Sequence, residues 1–117
     1  MKTGCFTICS RNYLAYALTL RDSLRIAEPE LELRIFLADE PVSENPPEGV
    51  EILAVSDLSG EDIRDMAWRY NVVEFNTAVK PFCFDYMFDE AGCDAVIYLD
   101  PDIQVFAALT AVHEALA

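Results

Sequence analysis

The run Ala95-Val96-Ile97-Tyr98-Leu99 is continuously apolar and stops at Asp100-Pro101-Asp102. A run of this kind suits a strand covered on both faces, which is the situation of a parallel sheet between two layers of helix. Pro101 has no N–H to give to a ladder, so the chain leaves the sheet there and carries both carboxylates to the strand's carboxyl end. That end is where an open α/β sheet holds its ligand. Ten of the 117 residues are Asp, so chance alone supplies about one Asp-x-Asp. Position gives this one its weight. Two carboxylates there suit a hard cation, Mn²⁺ or Mg²⁺, shared with the phosphates of a substrate.

Other segments repeat the strand-then-helix pattern. Phe6-Thr7-Ile8-Cys9 reads as a first strand, and Asn12 precedes a helical pattern with Leu14, Ala17, Leu18 and Leu24 near one face. Glu28-Pro29-Glu30 breaks it. Leu33 to Ala38 gives a second strand closed by Asp39 and Glu40, and the Pro- and Gly-rich stretch 41–49 is a loop before a third strand, Val50 to Val55. Ser59 with Asp62 suggests a capping box for a short helix carrying Ile63, Met66, Ala67 and Tyr70. A longer helix is expected to begin between Thr77 and Pro81, to end near Gly92, and to turn Phe82, Tyr86 and Phe88 inward. The strand to Leu99 and a terminal helix over 109–116 complete the order. The pattern predicts a single α/β domain with a doubly wound, mostly parallel sheet.

With 53% hydrophobic residues in 117, one ordinary core is affordable and a second domain is not. A formal charge of -13 repels nucleic acid and anionic lipid, so neither is an expected partner. No apolar run is long enough to span a bilayer. Cys5, Cys9, Cys83 and Cys93 form no Cys-x-x-Cys pair, and Cys5 and Cys9 share strand parity. Buried thiols in a reducing, cytoplasmic compartment are expected. His113 is expected on the surface of the last helix.

In such a sheet the carboxyl ends of the first, second and fourth strands border one crevice. It would collect Ser10, Arg11, Asn12, Tyr13, Asp39, Asp100 and Asp102. Tyr13 offers a face for a base, Asn12 both donates and accepts, and Asp39 accepts from a base or ribose. Each also has a purely structural role open to it: Asn12 as a helix cap, Tyr13 as a staple, Asp39 as a strand terminus. Lys80, one of two lysines, stands at an expected helix start where a cation opposes the dipole. It could meet an anion there, or simply tolerate the location.

These segments in this order resemble the N-terminal half of a GT-A glycosyltransferase, especially the retaining family-eight hexosyltransferases. The resemblance is carried by Thr7-Ile8-Cys9-Ser10-Arg11-Asn12-Tyr13, Asn76-Thr77-Ala78-Val79-Lys80-Pro81-Phe82 and Val96 to Asp102. It implies a Rossmann-like nucleotide-binding half domain in which Asp100 and Asp102 hold Mn²⁺ or Mg²⁺ against the diphosphate of a nucleotide sugar, commonly a UDP-sugar. Asn12 and Tyr13 would face the nucleoside, and Lys80 the donor's phosphates or sugar. Ser10 replaces an acidic residue frequent in the family, and Arg11 is equally atypical.

Relatives of this type are about twice as long as one small domain, and the later His and the acceptor-binding groups have no counterpart after Asp102. The expectation is therefore an incomplete GT-A domain lacking the acceptor half, with self-association through uncovered surfaces. The alternative is a non-catalytic nucleotide-binding or interaction module. A haloacid-dehalogenase-type phosphatase is disfavoured because its Asp-x-Asp closes the first strand and Gln104 stands where Thr or Val is expected. A sugar nucleotidyltransferase would need a Gly-rich basic loop after the first strand.

Overall fold

Short runs rich in Ile, Leu, Val and Phe become strands only where both faces are covered, and that is how this chain arranges them. The computed structural model describes residues 1–39, 51–58 and 71–117. Strands β1 (Thr3–Cys9), β2 (Leu33–Leu37), β3 (Glu51–Ala54) and β4 (Ala95–Tyr98) form one sheet in the order β3-β2-β1-β4. Every pairing is parallel, with Cys5 opposite both Leu33 and Ile97. The helices are α1 (Leu14–Ala27), α2 (Val72–Ala78), α3 (Lys80–Asp89) and α4 (Thr110–Leu116).

Strand alternation divides the core in two. Cys5, Cys9, Ile35, Leu37 and Ile97 pack with Ala17, Leu20 and Leu24 of α1. Phe6, Ile8 and Phe36 pack with Val79, Cys83 and Met87 on the other face. Helix on both faces makes the sheet doubly wound, as the sequence predicts. Phe6, fully buried, meets Phe36 and Phe84 edge to face, with centroids 5.6 and 4.9 Å away. Burial of one such ring contributes about 1.5–3 kcal/mol.

Backbone space matters at Gly4. A Cβ there would lie 2.6 Å from Cys93 Sγ and 2.7 Å from Met87 Cε, so only glycine lets the end of α3 close onto β1. Beyond α3, Gly92 takes φ +69°, the left-handed conformation glycine adopts without strain. Ala91 and Cys93 N–H groups donate to the carbonyls of Tyr86 and Met87, so the helix end is satisfied.

Several boundaries differ from expectation. β1 begins at Thr3 rather than Phe6, because Thr3 and Gly4 pair with Ala95 and Val96. The expected longer helix does not start from a loop. It follows α2 through Val79, itself helical (φ −83°, ψ −11°), and breaks because Pro81 lacks the N–H that would bond back to Thr77. α2 has its own start signal, a capping box in which Asn71 and Glu74 satisfy one another's backbone N–H groups. On α3 the buried residues are Cys83 and Met87, while Phe88 is exposed. The predicted loop 41–49 and the short helix begun at Ser59 lie outside the described residues.

After β4 the chain crosses to the α1 face. Ser23 Oγ accepts from Val105 N–H at 2.9 Å while donating to Leu20 O at 2.8 Å. Glu28 Oε1 accepts from Leu109 N–H at 2.5 Å and lies 3.2 Å from His113 Nε2. His113 is therefore half-buried against a carboxylate, not simply a surface residue. Among the described residues no helix is long and apolar enough to cross a membrane. All four cysteines are buried, free thiols.

Candidate functional site

The crossover through α1 takes the chain from β1 to β2, and the later return places β4 on the other side of β1. Connections that leave β1 in opposite directions open a crevice at its carboxyl end. There the structure has a groove of about 420 Å³. Ser10 and Tyr13 line it from the end of β1, Asn76, Thr77 and Lys80 from the α2–α3 break, and Tyr98, Asp100 and Asp102 from the end of β4.

Local structure places each group. Leu99 N–H still donates to Phe6 O at 3.1 Å, the last ladder-like bond before the chain turns, and Ile103 N–H closes the turn on Asp100 O at 3.2 Å. Asp100 and Asp102 therefore leave the sheet exposed at the groove. Neither has an ion-pair partner among the described residues. The proline break puts Lys80 opposite β4, and its Nζ lies 4.1 Å from the centre of the Tyr98 ring. Parity explains the meeting, since Tyr98 faces the α2–α3 side of the sheet.

Tyr98 is partly buried, and burial first, then the neighbouring Asp100 carboxylate, hold its phenol well above its ordinary value. It stays a neutral hydroxyl. Asn76 Oδ1 is buried with no hydrogen-bond partner among the described residues. Leaving such an acceptor unmet costs about 1–3 kcal/mol. Cys9, at the floor, is pushed up to about 11 by burial and then by the charge of Asp39.

Of the residues singled out from sequence, Ser10, Tyr13, Lys80, Asp100 and Asp102 come together on this groove. Asn12 and Asp39 do not line it. Residues Arg11–Tyr13 form a 3-10 turn, in which Asn12 is exposed and caps no helix with its side chain. Asp39 Oδ1 accepts from Arg11 N–H at 3.0 Å and so fastens that turn to the end of β2. Sequence reasoning gave no role to Tyr98 or to Asn76. Tyr98 was legible in principle, since a residue two before Asp100 shares its strand parity.

Lys80 stands between two successive helices rather than at a free helix start, so an anion site made of unpaired first-turn N–H groups does not describe its surroundings. Among the described residues no group of three or more His, Cys, Asp and Glu side chains could hold a metal ion. Asp100 and Asp102 fit a cation that takes its other ligands from substrate oxygens and water, the usual habit of Mg²⁺. They do not fit an all-protein cage. Compared with protein-family models and with curated proteins, the chain matches none.

Proposed function

We propose that the groove binds the diphosphate of a nucleotide sugar, a UDP-sugar by the resemblance, with Mn²⁺ or Mg²⁺ held between that diphosphate and Asp100 and Asp102. The chain is then the nucleotide-sugar-binding part of a GT-A-type glycosyltransferase. One observation carries this reading: two unpaired carboxylates, a lysine and an exposed tyrosine converge at the point where the sheet's connections diverge.

When bound, the metal supplies charge stabilisation for the departing nucleoside diphosphate. The chain's own residues divide the rest. Tyr13, about half exposed at the rim, offers a ring face to a base. Lys80 presents a cation to the phosphate oxygens. Asp100 and Asp102 would hold the cation, and carboxylates so engaged would not serve as base or nucleophile.

That last point supports a second reading, a module that binds the nucleotide without transferring sugar. Among the described residues lining the groove, Asp100 and Asp102 are the only carboxylates, so nothing remains there to activate an acceptor. Four unpaired thiols agree with a reducing, cytoplasmic setting. β4 is an edge of the sheet among the described strands, which favours self-association.

Thermal unfolding with UDP, UDP-glucose and UDP-galactose, each with and without Mn²⁺, tests the proposal. A ligand at about 100 times its Kd adds about 2.7 kcal/mol to stability. Metal-dependent stabilisation that Asp100→Ala abolishes is expected. No shift with any of them, with Asp100→Ala behaving as the parent, rejects the reading. Sugar release or transfer by the 117-residue chain rejects the binding-only alternative.

A further inference from the structure

Lys80 and Asp100 carry opposite charges and line the same groove, yet they form no ion pair. Opposite charges lining one groove attract each other. A four-carbon lysine stem is flexible enough to seek that contact. Something must offer the ammonium an alternative. Tyr98 is placed to do so: the Lys80 Nζ lies over its ring at 4.1 Å, and Asp100 follows two residues later on the same chain.

The ring is itself fixed. Phe6, fully buried in the centre of the sheet, packs against it with centroids 5.2 Å apart at 59°. A fixed ring face holds a cation by its quadrupole while leaving ammonium N–H groups free to donate to oxygens. The hydroxyl end of the ring, a hydrogen-bond donor, meets the Asp100 side chain.

We propose that Tyr98 is a positioning residue that keeps Lys80 and Asp100 apart, its ring face holding the ammonium and its hydroxyl end facing the carboxylate, so that a diphosphate and its cation find both groups open. This rests on the reading of the groove as a diphosphate site. Without the ring, Lys80 closes onto Asp100, and the ligand must first break that pair.

Selective ¹³C labelling of lysine gives a direct view, because the chain has only Lys2 and Lys80. The Lys80 ε-CH₂ resonance is expected upfield of that of Lys2 in the parent and in Tyr98→Phe, and near it in Tyr98→Leu. In calorimetric titrations with UDP and Mn²⁺, Tyr98→Leu is expected to weaken binding about tenfold, and Tyr98→Phe about threefold. In a Lys80→Met background, Tyr98→Leu should cost little more, since its effect runs through the lysine.

An unshifted Lys80 resonance in the parent overturns the proposal whatever the groove binds. An equal penalty for Tyr98→Leu in both backgrounds overturns it while leaving the diphosphate reading intact. If the parent binds no UDP with Mn²⁺, both fall, and the resonances then report only a contact. Should Tyr98→Leu fail to fold, Tyr98→Phe and Lys80→Met decide: tighter or unchanged binding in both rejects it.

Discussion

At the amino ends of the strands lies a cavity of about 730 Å³, larger than the groove of about 420 Å³ at their carboxyl ends. It gathers Lys2, Arg21, Arg25 and Arg34, half of the chain's eight basic residues. In an acidic protein that cluster invites an anion. Its charges, however, are engaged by the protein. Lys2 Nζ donates to Ala91 O at 2.5 Å, Arg21 pairs with Asp22 at 2.8 Å, and Arg34 pairs with Glu51 at 2.5 Å while lying over Tyr86. Arg21 Nη1 lacks a partner among the described residues, but it is buried away from solvent. The groove is the reverse: small, with Asp100 and Asp102 exposed and in no ion pair among the described residues. Volume does not separate the two ends. What separates them is whether charge is already answered within the chain.

If that contrast is right, substitutions at the two ends should fail in different assays. Asp100→Ala should lower metal-dependent UDP affinity about 100-fold, or about 2.7 kcal/mol. Its effect on unfolding should stay within about 1 kcal/mol, because Asp100 is exposed, forms no ion pair among the described residues, and loses a side-chain contact with Tyr98. Gly4→Ala should do the opposite. The new methyl group meets Cys93 and Met87 at 2.6 and 2.7 Å, and overpacking of this sort costs about 1–3 kcal/mol. Denaturant unfolding should register that loss, while UDP affinity of the folded variant should not change. A Gly4→Ala protein of parental stability that has lost UDP binding would break the contrast.

The two ends were unequally legible in the sequence. The strands were legible because burial on both faces writes itself as continuous apolar runs, and Asp100 and Asp102 followed from Pro101 ending one of them. β1 extends back beyond its apolar run to Thr3 because pairing with β4 recruits Thr3 and Gly4, although Gly4 weakens the strand signal in the sequence. α2 was hidden for a related reason. Val72, Val73 and Thr77 are poor helix formers, and its signal lay in the Asn71/Glu74 capping box and the burial of Phe75. In the groove, Asn12 was misplaced because a 3-10 turn carries it outward, a rotation that residue spacing does not encode. Asp39 closes β2 as its position in the sequence suggests, but its Oδ1 is engaged by the Arg11 N–H, a contact that residue spacing does not reveal. The amino-end cavity was invisible, since its arginines come from α1 and β2 and meet only in three dimensions.

A smaller effect tests how the segment beyond the groove is held. Ser23 Oγ is the acceptor for Val105 N–H, so Ser23→Ala leaves a partly buried donor unmet and should cost about 1 kcal/mol. Hydrogen exchange at Val105 should accelerate, while Lys80 resonances and UDP affinity remain parental. Coupled loss of both would mean that the α1 face and the groove are not independent.

The finest distinction concerns the thiols, which sample both ends of β1. Burial pushes Cys5 and Cys83 up to about 12, and burial with the Asp39 charge pushes Cys9 up to about 11. Because the fold raises these values above the ordinary 9.0, it favours the neutral thiol. Their contribution to stability is intact below pH 9 and is lost as pH rises through about 11 to 12. Native alkylation by iodoacetamide should therefore be slow at pH 8 and should accelerate on the alkaline side. Peptide mapping after brief alkylation follows Cys9 and Cys5 separately. Cys9 lines the groove, whereas Cys5 does not, so UDP with Mn²⁺ should slow the first reaction and leave the second unchanged. Equal protection of both thiols would point to global tightening of the fold. Protection of Cys9 alone would locate the ligand at the carboxyl end of β1.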